Sequence, residues 1–549
     1  MIPAAVALFL LGAFQSPASD AIATAQKLYS DQRWADVVAL WRTVADAPAD
    51  FDYYAGMSLA RLNRLNEAKD ALEAGRKKNP RDKRFPMELA GLAFRRKDLS
   101  STKSYLGHAL RLAPEDRYAI DFLGSVYFLE RNLEAALIYW NRIDKPRVEQ
   151  IRMEPQPRVD AQLLDRAFAV APASTLVLRD LRVTRASLEL LGIFPRYRLT
   201  LEPLAETEKY DLLFQPDEHR GLLSMFRGAP YLTIYPEFYN LGHAGVNVTS
   251  LFRFDPEKYR AFAAFSTPVA GNPGRQLRFS LDGRQENWDL TDTYRTAPLA
   301  DLSLRKIEAR AEIRSLVNDW TWSSGVSLSD RRLARAPGGD LSFSNGTALE
   351  YRAGLDRQLL RLPQKRLAVN TSASAAFGKL FARGLDPFAR IAGSVDMRWF
   401  PQAEGDRYVF STTVRSGKAF GDTPFDELFM LGLERDNDLP LRAHIGTRDG
   451  RKGAAPLGRT YFLLNLDADR TIYEGGFLKI KLGPFLDSGR ITDPAGAFGS
   501  PRWLWDVGAQ LKVRILSTVT VTVSYGKDLR SGRNAFYAAS LGPSAAQIH

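Results

Sequence analysis

The chain has 549 residues, a formal net charge of +12 and no cysteine. This length calls for two or more domains, and the missing cysteine excludes disulfide staples, thiolate metal sites and cysteine nucleophiles. The basic residues are spread along the chain without interleaved aromatic blocks, which argues against nucleic acid and leaves anionic lipid as a partner for a basic surface.

Residues 4–14 form an apolar run, and small residues follow at Ala18 and Ser19. This is the layout of a secretory leader over 1–19, although the first residues carry no lysine or arginine; a buried first helix is the alternative. No later stretch has the roughly 18 consecutive apolar residues of a membrane-crossing helix. A membrane role therefore requires a closed barrel.

Residues 20–146 repeat. Leu65, Leu99 and Leu133 are 34 residues apart, and so are Ala68, Thr102 and Ala136. Gly56, Gly91 and Gly124 follow nearly the same step, and Pro80 and Pro114 end successive units. The spacing predicts paired helices, with the glycines allowing close approach. A degenerate unit precedes them at 34–48. The pattern resembles tetratricopeptide (TPR) repeats, which implies a concave groove for a protein partner; a rigid spacer is the alternative. His108 reads as structural.

Over 147–220 the pattern changes to strand, two helices and two strands. The order β-α-α-β-β, with Gly192, Ile193 and Phe194 before the second strand, resembles a POTRA domain. Such domains receive client polypeptides by adding a strand at a sheet edge. An unrelated small α+β domain is the alternative.

From 231 to 542 the period is two. Ile307, Ala309, Ala311 and Ile313 alternate with Lys306, Glu308, Arg310, Glu312 and Arg314. Alternation alone does not separate a soluble sandwich from a membrane barrel. Strand lengths near ten, the leader, and aromatics at strand ends (Trp288, Trp320, Trp399, Phe400, Tyr525) point to a transmembrane antiparallel barrel of 14–16 strands in contact with outer-membrane lipid. One long interruption, 421–456, is rich in turns and charge, and loops of that length inside a barrel are usually functional.

The stretch LGPFLDSG places Lys479, Lys481, Gly483, Phe485, Asp487 and Gly489 on one strand face. With the loop residues Leu441, Arg442, Ala443 and His444, it is similar to the POTRA-plus-barrel outer-membrane superfamily of BamA/TamA/two-partner-secretion type. There, a sixth extracellular loop carries (V/L)RG(F/Y) and folds into the barrel, and a later strand carries F-x-D-x-G. Phe485, Asp487 and Gly489 match the strand motif. Gly458, Asn465 and Asp467 stand where the family has G…N-x-E, and Ala443 and His444 depart from the loop motif. An arginine in a confined site pairs well with inward carboxylates. The resemblance therefore implies that Asp487 receives Arg442, with Asp467 as helper and with Gly483 and Gly489 making room for the loop backbone.

The expected protein is a multidomain outer-membrane protein: helical repeats and one POTRA-like domain in the periplasm, then a barrel that inserts or translocates unfolded or secreted polypeptides. No cofactor, metal or nucleic acid is expected, and no catalytic motif is present. A polysaccharide exporter and a passive pore are the rival readings.

Overall fold

The computed structural model describes residues 17–205, 207–217, 233–382, 384–402, 405–500, 502–515 and 519–541. Most of the expected leader, the 218–232 junction and the C-terminal tail lie outside these residues. The chain divides into two compact units, 1–145 and 146–549.

The first unit is built from helix pairs: Pro17–Ser30 with Trp34–Thr43, Ala49–Arg61 with Leu65–Lys78, Arg84–Arg95 with Leu99–Leu112, and Arg117–Leu129 with Leu133–Trp140. Leu65, Leu99 and Leu133 each open the second helix of a pair. Asp98 and Asn132 cap two of these helices by accepting from the backbone N–H three residues on. Ala68, Thr102 and Ala136 are fully buried. The glycine expectation holds at two positions. A Cβ at Gly56 would lie 2.6 Å from Leu72, and one at Gly124 would lie 2.4 Å from Trp140. A Cβ at Gly91 would meet nothing. The true equivalent, one 34-residue step from Gly56, is the buried Ala90.

The second unit opens with a four-stranded sheet ordered Ser174–Thr175, Arg147–Met153, Lys209–Asp217, Arg196–Pro203. The first and third strands of the chain order expected, Arg147–Met153 and Lys209–Asp217, run parallel. Helices Ala161–Ala167 and Leu178–Leu191 accompany the sheet, with Phe168 and Phe194 edge-on to Phe214. The second helix stops at Gly192, whose φ of +65° is the left-handed conformation a C-terminal cap uses. The two-residue strand between the helices adds to the order read from the sequence.

The rest closes into a barrel of eighteen strand segments among the described residues. Three of them have only two residues. Thr233–Ile234 pairs with Val246–Asp255, while Thr447–Arg448 and Arg451–Lys452 pair with each other inside the long interruption. These short pieces account for the excess over the 14–16 strands expected. The strands also exceed the expected length, with Asn272–Trp288 and Gly346–Leu362 reaching 17 residues. At ~3.3 Å per residue that is about 55 Å, longer than a tilted strand needs to cross lipid. The extra length carries wall residues that grip the interruption.

The barrel's polarity is inside out. Ile307 is 68% exposed on the outer surface, while its neighbour Lys306 is 3% exposed on the inner one. Leu281, Phe377 and Phe536 also face outward. A wall with an apolar outside and a charged inside suits lipid and not water. Trp288 is the exception among the expected strand-end aromatics: it is buried, 4.9 Å from Phe425 of the interruption.

Candidate functional site

The strands Tyr408–Gly421 and Thr460–Gly475 pair directly with each other along their length. Everything between them, 422–459, is an excursion from one hairpin. It passes through the barrel interior and contacts wall strands around the circumference, from Val246–Asp255 to Val519–Asp528.

At its tip stands Arg442. Its Nε lies 2.9 Å from Asp487 Oδ2, its Nη2 2.5 Å from Asp487 Oδ1 and its Nη1 2.5 Å from Asp467 Oδ1. The Arg442 backbone N–H also donates to Asp487, at 2.9 Å. The guanidinium lies 3.8 Å from the centroid of the Phe485 ring and donates to Gln510 at 3.1 Å. Asn465 donates to both Asp487 and the Pro440 carbonyl, at 2.7 and 2.8 Å. Two-pronged, charge-assisted bonds with a ring beneath satisfy a planar cation well. Leu441 is fully buried beside Leu431, Leu439, Leu463, Ile491 and Leu504.

The glycines divide differently from expectation. A Cβ at Gly489 would lie 3.0 Å from the Leu431 side chain of the excursion. Gly483 instead faces Ala468 of the neighbouring strand, at 2.2 Å, so it serves wall packing. The glycine that admits the excursion's backbone is Gly526, where a Cβ would sit 2.6 Å from the Arg442 carbonyl. Gly508 makes room for the Phe485 ring. Gly458 is not near Arg442; it pairs with Phe429 and packs on Ile491 and Thr492 at the root of the excursion. His444 and Ala443 reach a carboxylate that sequence reasoning did not single out. The Ala443 N–H donates to Asp506 at 2.6 Å, and His444 Nδ1 lies 3.1 Å from the same oxygen.

Two further ionic clusters hold the excursion. Asp426 and Glu427 meet Lys306 at 2.9 and 2.7 Å; Arg390 pairs with Glu427, and Arg331 lies 3.4 Å from Asp426. Asp436 sits between Arg253 and Arg260, at 2.6 and 2.7 Å, with Lys452 at 3.8 Å. Lys258 pairs with Glu434, and Lys452 with Glu286. Burial opposes charge on Asp436, but Lys452, Arg260 and Arg253 together hold its carboxyl well below the usual range. Burial likewise opposes charge on Glu427, and Lys306, Arg390, Arg352 and Arg331 overcome it. The signal that could have found these clusters is parity. Lys306, Glu308 and Arg331 occupy inward positions of their strands, where an unpartnered charge is costly.

Trp288, Leu290, Tyr294, Phe343, Phe425 and Phe498 form an apolar knot of the excursion, a strand end and neighbouring loops. Of the described residues, only His444, Asp506 and Asp528 bring three potential ligand atoms within 4.8 Å of one another.

No family model matches the chain, and no curated protein matches it. Among solved structures, it is similar to CdiB from Escherichia coli, with a TM-score of 0.51 and 15% identity over 72% of this chain and 77% of that one. It is also similar to BamA from Haemophilus ducreyi lacking POTRA domains 1–3, with a TM-score of 0.45 and 12% identity over 72% and 84% of the two chains. A third is CdiB from Acinetobacter baumannii, with a TM-score of 0.45 and 12% identity over 72% and 74%. At such identities the likeness speaks for fold alone, and the E. coli CdiB carries it. The chain contains a large antiparallel barrel of the kind CdiB adopts.

Proposed function

We propose that this protein is an outer-membrane barrel that assembles or translocates polypeptides, with its N-terminal domains in the periplasm. The observation that carries the reading is Arg442. A long excursion crosses a polar barrel interior and pins its tip to Asp487 and Asp467, with Phe485 beneath. A passive pore has no need to fill its lumen this way. The similar fold of CdiB and the inside-out wall support a place in lipid. The motif residues act as a loop anchor: Arg442 is the cation, Asp487 its receptor and Asp467 the helper.

The small domain before the barrel acts as a POTRA-type receiver. Arg196–Pro203 lies at the edge of its sheet, so an extended client adds a strand there. The helix pairs act as TPR repeats and offer a groove to a second protein. The role is non-covalent throughout.

A photo-crosslinking residue in place of the exposed Arg198 tests this in full-length protein reconstituted in liposomes. The expected product is an adduct with an unfolded outer-membrane barrel peptide, competed by unlabelled peptide. Retention of a glucan polymer with no peptide adduct would establish the exporter instead. Ion conductance with neither would leave a pore.

A further inference from the structure

The outer wall of the barrel carries one polar row. Strand register sets Tyr259 opposite Gln285, Gln285 opposite Arg305, and Arg305 opposite Arg332. The four stand on adjacent strands, Lys258–Val269, Asn272–Trp288, Leu302–Val317 and Trp320–Ala334. Their parity is outward, because Lys258, Glu286, Lys306 and Arg331, one residue away on each strand, are buried on the inner face. The row lies toward the barrel end where Lys452 of the excursion meets Trp288. The small domain holds the other end, where Arg166 donates to the carbonyls of Ala270 and Gly271.

Two arginines directly opposite each other on one sheet face repel. Arg305 has no carboxylate partner among the described residues, and Arg332 has only Asp330, at 3.3 Å with both side chains exposed. One exposed carboxylate thus faces two guanidinium groups. The same bias continues around the barrel: Lys379, Lys418, Arg490 and Lys527 are exposed near the corresponding ends of their strands. Deeper along the strands the wall turns apolar, with Ile307 and Leu328 exposed.

We propose that the row Tyr259–Gln285–Arg305–Arg332 is a headgroup site for a phosphate-bearing lipid of the leaflet away from the small domain. Arg305 and Arg332 hold the phosphate between them, since a guanidinium fork matches phosphate oxygens two at a time. The Gln285 amide and the Tyr259 hydroxyl donate to polar groups beside the phosphate. Ile307 and Leu328 take the acyl chains. The phosphate removes the repulsion between the two arginines, and basic residues at headgroup level attract anionic lipid. Free phosphate has no apolar part to lay on Ile307 and Leu328, so the occupant is a membrane lipid. The site rests on the lipid-facing reading of the wall. Under the proposed function its leaflet is the outer one, where lipid A carries phosphates on a sugar backbone.

Native mass spectrometry of the full-length protein in detergent tests the site, with lipid A and dephosphorylated lipid A as paired probes. Wild type is expected to retain lipid A about tenfold better than the dephosphorylated form. Arg305→Gln combined with Arg332→Gln is expected to lower lipid A retention about tenfold, the scale of two basic residues at an anionic surface. Arg275→Gln combined with Arg357→Gln removes two arginines toward the small-domain end and is expected to change it by less than about twofold. Equal retention of the two lipids overturns the site, as do equal losses in the two double variants. Displacement of lipid A by excess inorganic phosphate also overturns it, because a free anion then suffices. The lipid comparison uses wild type alone, so a variant that fails to fold does not shield the proposal. Wild type that shows no heat-modified migration after folding into liposomes would sink the lipid-facing wall itself, whereas a folded barrel that does not discriminate the two lipids sinks this site alone.

Discussion

The helical unit and the barrel use the same residue types with opposite sign. In the helices, leucines and alanines are buried and ion pairs sit outside, such as Arg64–Glu67 and Arg84–Asp50. Exposed pairs of that kind contribute little. In the barrel, isoleucines and phenylalanines face outward and the ion pairs lie inside, where Lys306, Asp426 and Glu427 are almost wholly buried. A hydrophobic period gives the geometry of an element. It does not give the sign, which is set by the solvent on each side. What holds the interior of the barrel is charge, and charge responds to pH and to single substitutions in ways an apolar core does not.

The largest expected effect of that difference is on acidification. Asp436, Asp426 and Glu427 have carboxyls held below their ordinary values, with burial opposing and the surrounding lysines and arginines prevailing. A depressed carboxylate contributes stability that is fully present above its unfolded value, about pH 4, and is lost as pH falls through the folded value. These two clusters are therefore expected to hold from pH 8 down to about 4.5 and to weaken progressively below it, as pH falls toward their folded values. Pepsin digestion between pH 4.5 and 2 reads this directly. Cleavage within 422–459 is expected to rise steeply toward pH 2 while the wall strands stay intact. Cleavage already complete at pH 4.5 would show that the clusters do not hold the excursion.

Next is the anchor pair. Arg442→Ala leaves Asp487 buried without its cation, a local loss of about 3–5 kcal/mol where the site is dry. Asp487→Ala removes the main receptor but leaves Arg442 its bond to Asp467, so its loss is expected to be smaller. The double substitution is expected to cost less than the two added together, because the residues act as a unit. The measurement is thermal stability together with protease sensitivity of the excursion. Additive losses would mean that the contact seen here does not couple the two residues.

The outer face supplies the third test. Leu281 is 62% exposed on the outside of its strand. In a soluble sheet, Leu281→Arg would be nearly neutral. Facing lipid near the bilayer middle, it is expected to cost about 2–4 kcal/mol. Folding into liposomes, followed by heat-modified migration on gels, distinguishes these outcomes, and a neutral result would contradict the lipid-facing assignment.

The sequence made some of this legible and hid the rest for physical reasons. The 34-residue step located the second helix of three pairs because leucine recurs wherever a helix must start and pack. Arg442, Asp487, Asn465 and Asp467 were legible through a resemblance between two short motifs, and the structure brings them together. Asp506, Gly526 and Asp528 were not, although they share the inward parity of the residues that were. Alternation places a side chain on a face without saying what crosses the lumen to meet it. The ionic clusters around Asp426 and Asp436 were missed for the same reason: Lys306, Arg253 and Arg260 lie more than a hundred residues from the carboxylates they meet. Trp288 was read as a membrane-edge aromatic because it ends a strand. Its actual neighbour, Phe425, belongs to the excursion, whose path no local pattern records.

The smallest effects return to the helices and test whether close packing there follows the 34-residue register. Gly124 touches the Trp140 ring, so the Cβ of Gly124→Ala would fall 2.4 Å from it. Overpacking of that kind costs about 1–3 kcal/mol. Gly91 is out of register, and a Cβ there meets nothing. It lies within the helix Arg84–Arg95, where glycine is about 1 kcal/mol worse than alanine. Gly91→Ala is therefore expected to stabilise the unit by somewhat less than 1 kcal/mol, since the gain comes from restricting the unfolded chain and adds no contact. Urea melts followed by helical circular dichroism at 222 nm on the full chain, where the barrel contributes little change, compare the two variants. Opposite signs at these glycines would show that the repeat packs by its 34-residue register. Two losses of similar size would show that Gly91 is held by something other than its helix.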